Sequence, residues 1–73
     1  MFKFQRIISA GLKWTDNLFV EEEFIGTMGF DEEGLWIKIK RNLTLQEINL
    51  LIAQMLISNP DLVTEKIEMM KYE

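Results

Sequence analysis

The segment FIGTMGF-DEEG-LWIKIKR constrains this chain more than any other, because two alternating apolar runs flank four turn-forming residues that end in glycine. Alternation at a period of two sends successive side chains to opposite faces, and a loop of Asp, Glu and Gly between such runs signals a β-hairpin. With Phe30 opposite Leu35 across Asp31-Glu32-Glu33-Gly34, Gly29 meets Trp36, Met28 meets Ile37, Thr27 meets Lys38, Gly26 meets Ile39 and Ile25 meets Lys40. Phe24, Gly26, Met28 and Phe30 then share a core face with Leu35, Ile37 and Ile39. Ile25, Thr27 and Gly29 share the opposite face with Trp36, Lys38 and Lys40. Trp36 opposite Gly29 reads as an indole lying over a bare backbone position.

Upstream, LKWT-DN-LFVE places Asp16 and Asn17, both suited to positive φ, between short alternating runs and predicts a second, tighter hairpin. Residues 1–9 read as a strand through Phe2, Phe4 and Ile8, although Phe4, Ile7, Ile8 and Leu12 also fit a helix stopped at Gly11. Glu21-Glu22-Glu23 is too polar for a central strand and reads as an edge or bulge. At Thr44 the period changes to 3.6, and Thr44-Leu45-Gln46-Glu47 matches a capping box that starts a helix over about 45–58. Leu45, Ile48, Leu51, Ile52, Met55 and Leu56 form its apolar stripe, while Leu50, Ala53 and Ile57 fall outside it. Ser58-Asn59-Pro60-Asp61 reads as a stop and restart, giving a second helix over about 60–72. In that helix Val63, Ile67 and Met70, beside Leu62 and Met69, oppose Glu65, Lys66, Glu68 and Lys71. The prediction is a single α+β domain over 1–73: a β-meander of three or four antiparallel strands (1–43), then a helical hairpin (44–73) packed on one sheet face.

Seventy-three residues leave room for one core, and 48% hydrophobic residues are enough to build it. The chain has no cysteine and no histidine. Disulfides, thiolate metal sites, imidazole bases and Ser-His-Asp triads are therefore excluded, and no glycine loop of the phosphate-cradling kind is present. The expectation is a protein that is not an enzyme and uses no cofactor or metal. The start MFKFQRIISAGLKW has no continuous apolar run of signal-peptide length, and Ile48–Ile57 is too short and interrupted to span a bilayer, so the expected compartment is the cytoplasm with no membrane partner.

The net charge of −4 is unevenly spread: residues 21–33 carry six acids and no base, and Lys38, Lys40 and Arg41 make a short basic strip. Glu21, Glu22, Glu23, Asp31, Glu32 and Glu33 lack the spacing of an EF-hand and read as solvated turn and edge, or as a contact for a basic partner. Trp36, Lys38, Lys40 and Arg41 have the alternation of an aromatic with cations that can hold a base and its phosphates, or an acidic partner. Structurally, Lys40 can instead pair diagonally with Glu23 and Lys38 can solubilise the sheet face. Leu50 and Ile57, off the helix stripe, and Met69, Met70 and Tyr72, near the chain's end, are the candidates for partner binding or self-association.

The order IKIKRN, TLQEINLLIAQMLI, PDLVTEKIEMM, over residues 36–70, resembles the ribbon-helix-helix repressors. That resemblance implies dimerisation through the strand, with Lys38 and Lys40 as base or phosphate contacts. The chain departs from the pattern in having a hairpin partner upstream of the strand and Ser58-Asn59-Pro60 where a glycine-containing turn is usual, and it is not assigned to the family. The leading expectation is a small protein-binding regulator, inhibitor or accessory protein, of the kind bacteria, phages or mobile elements encode, acting by surface complementarity with another protein. The alternatives are a dimeric nucleic-acid-binding regulator using the 36–41 strand, and a homo-oligomeric structural or assembly subunit.

Overall fold

A computed structural model describes residues 1–71, with side chains through Met70, so Tyr72 lies outside the described residues. Its elements are β1 (Phe2–Ala10), β2 (Lys13–Val20), β3 (Glu23–Asp31), β4 (Gly34–Ile39), α1 (Leu45–Ser58), a 3-10 turn (Pro60–Thr64) and β5 (Ile67–Lys71). The five strands form one sheet in the order β1-β2-β3-β4-β5. All neighbours are antiparallel except β4 and β5, which run parallel on either side of α1 in the chain. The fold is α+β, with a mixed sheet and one α-helix.

The β3–β4 register is the one the alternation predicts: Gly26 pairs with Ile39, Met28 with Ile37, Gly29 with Trp36 and Phe30 with Leu35. Asp31 pairs with Gly34, and the Glu33 N–H donates to Asp31 Oδ1 at 2.9 Å, which tightens the two-residue turn between them. Trp36 lies over Gly29, where a Cβ would sit 2.4 Å from its Cζ2.

The facing of Phe24 and Ile25 is reversed. The β2–β3 register slips between Leu18 and Phe19, so Leu18 pairs with Gly26 while Phe19 pairs with Phe24. The extra residue, Ile25, joins the buried core, and Phe24 instead meets Phe19 edge-on at 5.8 Å. A bulge exchanges the faces of everything beyond it, which strict alternation does not anticipate.

The start of the chain is a strand, β1 over Phe2–Ala10, and not a helix. The expected turn at Asp16-Asn17 lies in the middle of β2 instead, where Asp16 is buried and paired with Arg6 across the β1–β2 ladder. Arg6 also stacks 4.6 Å from the Trp14 ring centroid. An ion pair with hydrogen bonds meets the desolvation cost that would otherwise force Asp16 to the surface. The turn forms at Gly11-Leu12, with Gly11 at φ 64°. Glu21 and Glu22 (φ 49° and 73°) form the β2–β3 turn, closed by Val20 opposite Glu23, in place of an edge or bulge.

The capping box is present in both directions. Thr44 Oγ1 accepts from the Glu47 N–H at 3.0 Å, and Glu47 Oε1 accepts from the Thr44 N–H at 2.9 Å. Leu51 and Met55 are buried against the sheet. Gln54 ties α1 to β1, accepting from the Phe2 N–H at 3.2 Å and donating to the Phe2 carbonyl at 3.4 Å.

The second helix does not form. Asn59 ends α1 with its N–H on the Met55 carbonyl, Pro60 opens a single 3-10 turn, and the chain is extended again from Ile67. Ile67 and Met69 are two residues apart as well as within a helical set, and so short an apolar run does not distinguish the two periods. The free edge of β4 decides between them: Leu35 through Ile39 find partners in Ile67 through Lys71. Paired on both sides, β4 is not available as the seam of a ribbon-helix-helix dimer.

Gly26 tests this packing most sharply, because a Cβ there would lie 2.1 Å from the Lys38 carbonyl oxygen. Gly26→Ala should cost about 2–3 kcal/mol or more in urea unfolding, since a backbone atom cannot swing aside. Gly11→Ala, with nothing within 4 Å of its Cβ, should cost only about 1 kcal/mol of backbone strain.

Candidate interaction surfaces

At 100° per residue, α1 directs Leu51 and Met55 to the sheet, with Gln54, Leu50 and Ile57 on the β1-side flank and Ile48, Ile52 and Leu56 on the β5-side flank. The β5-side flank does not reach β5. Two hollows lie in line between them. One of about 570 Å³ is lined by Ile39, Arg41, Asn42, Leu43, Ile48, Met69 and Met70. A smaller one, of about 100 Å³, is lined by Leu35, Ile52, Met55, Leu56, Leu62, Val63, Glu65 and Ile67. Ile52, Val63, Ile67 and Met69 keep 41%, 67%, 41% and 53% of their surface exposed, so the groove is apolar and open.

Of the residues singled out from sequence, Met69 and Met70 line this groove. Leu50 and Ile57 are exposed, at 40% and 81%, but on the opposite flank of α1. Ile52, Val63 and Ile67, which helical periodicity places on apolar stripes, form the groove's open rim instead. The chain after Pro60 forms a 3-10 turn and a strand in place of the expected second helix, so among the described residues no helix covers that side of α1.

The other face of the sheet carries no helix. The pairings place Thr15, Gly29, Trp36 and Glu68 in one row across it, Gln5, Asn17, Thr27, Lys38 and Met70 in the next, and Lys3, Phe19 and Phe24 in a third. Lys40 completes the third row, its Nζ 5.9 Å from the Phe24 ring centroid, and Lys38 Nζ stands 5.8 Å from that of Trp36. Phe19, Phe24 and Trp36 are half-buried, and Lys3, Lys38 and Lys40 are exposed. Glu23 approaches Arg41 at 4.0 Å rather than Lys40.

Arg41 has structural partners. Its guanidinium donates to both Glu47 carboxylate oxygens, at 3.5 and 3.2 Å, and to the Asn42 carbonyl at 3.2 Å. The hydrogen bond to Glu47 holds the Arg41 pKa above its usual value, and the Thr44 N–H followed by Arg41 holds Glu47 below the usual carboxylate range. The acids do not form one strip. Glu21 and Glu22 precede β3, Glu23 opens it and Asp31 closes it eight residues later, which at about 3.4 Å per residue puts the two groups at opposite ends of the strand, about 27 Å apart. Glu32 pairs with Lys13. Among the described residues no group of three or more acids has the geometry to hold a metal ion, and no helix is long and apolar enough to cross a membrane. No protein-family model, curated protein or solved structure matches the chain.

Because Glu47 is ionised to lower pH when folded than when unfolded, its stabilisation is complete above the ordinary value of 4.5 and is lost as the pH falls through the depressed folded value. Glu47→Gln should lower Tm at neutral pH and converge with the unaltered chain once the pH has fallen below the depressed folded value. A Tm difference that stays constant from neutral to acid pH would assign the Glu47 contribution to its shape and not its charge.

Proposed function

We propose that this protein is a non-catalytic protein-binding module whose partner docks in the groove between α1 and β5. The observation that carries this reading is the open apolar rim of Ile52, Val63, Ile67 and Met69 over a hollow floored by Leu35, Ile39 and Met55. Exposed apolar surface that is contiguous and lies in a concavity is the mark of an interaction site.

Such a module works by occlusion or scaffolding. Affinity comes from burying the rim, and the Glu65 and Arg41 groups at the two hollows bias the partner's orientation. Burial of apolar surface is weakly screened, so complex formation should survive high salt.

A photo-crosslinking side chain placed at Ile52 or Val63 should capture a partner protein at both low and high salt, while one at Gln46, on the solvent side of α1, should not. Ile52→Asp or Met69→Asp should weaken capture at least about tenfold. Equal capture from Gln46, or capture unaffected by both aspartates, would refute the groove as the docking site. Sedimentation equilibrium distinguishes a second copy of the chain from a different protein as the occupant.

A further inference from the structure

We infer that the helix-free face of the sheet is a second, separate site, and that it binds single-stranded nucleic acid. The inference rests on charge placement. The chain as a whole is at −4, yet its acids lie mostly in the turns and on the helical segment, whereas Lys3, Lys38 and Lys40 project from this one face. Among the described residues no carboxylate lies within ion-pair distance of any of the three; the ion pairs found use Arg6, Lys13 and Arg41. Unpaired cations on a net-acidic protein are a local attraction for a negatively charged ligand, and the rest of the surface opposes its spreading elsewhere.

The aromatics between these lysines specify the kind of anion. Phe19 and Phe24 form one station beside Lys3 and Lys40, and Trp36 forms another beside Lys38. Lys40, just beyond the end of β4, is four residues from Trp36, so the two stations are separated by about 13 Å along the sheet. Unstacked bases lie flat on aromatic rings while their phosphates reach adjacent cations, and this pairing tolerates any base sequence. The polar row of Gln5, Asn17 and Lys38 runs between the stations and offers hydrogen-bonding groups to base edges. A duplex, with its bases already stacked internally, cannot use the rings. An acidic polypeptide could use the lysines but would leave the rings without a matched partner.

The face also has a margin. Trp36 is flanked on its far side by Asp31, Glu33 and Glu68, so phosphates are held along the Lys38–Lys40–Lys3 side and repelled beyond Trp36. Replacing Glu68 by lysine should therefore extend the site.

The probe is a fluorescein-labelled oligothymidylate of about 12 nucleotides, followed by anisotropy at low ionic strength and through a salt titration. Three phosphate contacts predict a log–log salt slope near −2. Lys38→Gln with Lys40→Gln should weaken binding about tenfold or more and flatten that slope, Phe19→Leu should weaken it without changing the slope, and Glu68→Lys should strengthen it. Lys38, Lys40 and Glu68 are exposed and Phe19 is half-buried, and thermal melting verifies that the variants fold. No binding at low salt would overturn the inference, as would equal binding by a duplex of the same length. Displacement by polyglutamate at equal charge concentration would assign the face to acidic polypeptides instead. Ile52→Asp should leave oligothymidylate binding untouched, so the result is independent of the groove.

Discussion

One helix has to cover a sheet five strands wide, and it cannot. With side chains α1 is about 10–12 Å across, whereas four inter-strand spacings separate β1 from β5 by about 19 Å. Gln54 bonds to both backbone groups of Phe2 and so fixes α1 toward the β1 side. The uncovered strip therefore falls over β4 and β5, where Ile39, Ile67 and Met69 lie. The groove follows from this mismatch of widths together with that one anchoring side chain.

The same economy leaves the opposite face bare. Among the described residues no second layer is built on that side. Trp36 over Gly29 and Phe19 against Phe24 shelter the backbone there in place of a covering layer. The sheet thus presents chemically opposite exteriors, apolar beside α1 and basic with aromatics on the other side. On the two readings proposed above, partners of different chemistry would be held without competing.

Much of this was legible from the residues. The 26–39 register could be read because the turn DEEG and the alternation on both sides of it agree, and the start of α1 because Thr44 and Glu47 complete a reciprocal cap. What escaped depended on contacts distant in sequence. Asp16 resembles a turn residue until Arg6 arrives from another strand to neutralise it. Ile25 resembles a surface position until the slip at Leu18 and Phe19 turns it inward. Residues 65–71 resemble a helix until β4 offers them an edge. The groove was illegible for the same reason, since Ile52 and Val63 are exposed only because that helix is absent. Trp36, Lys38 and Lys40 stood out as a strip, but only the sheet adds Lys3, Phe19 and Phe24 to it.

The parallel pairing of β4 with β5 also orders events in time. Strands β1 to β4 are joined by two-residue turns and can zip as soon as they are synthesised, whereas Leu35 meets Ile67 only after 32 further positions, including all of α1, have been made. Closing that long loop is the slow step of such a topology. During the delay LWIKI is an apolar strand with an open edge, the form in which sheets recruit one another. Lys38 within that strand and Lys40 just beyond it set like charges against like in any such encounter, so the cations of the bare face also act as gatekeepers for the nascent chain.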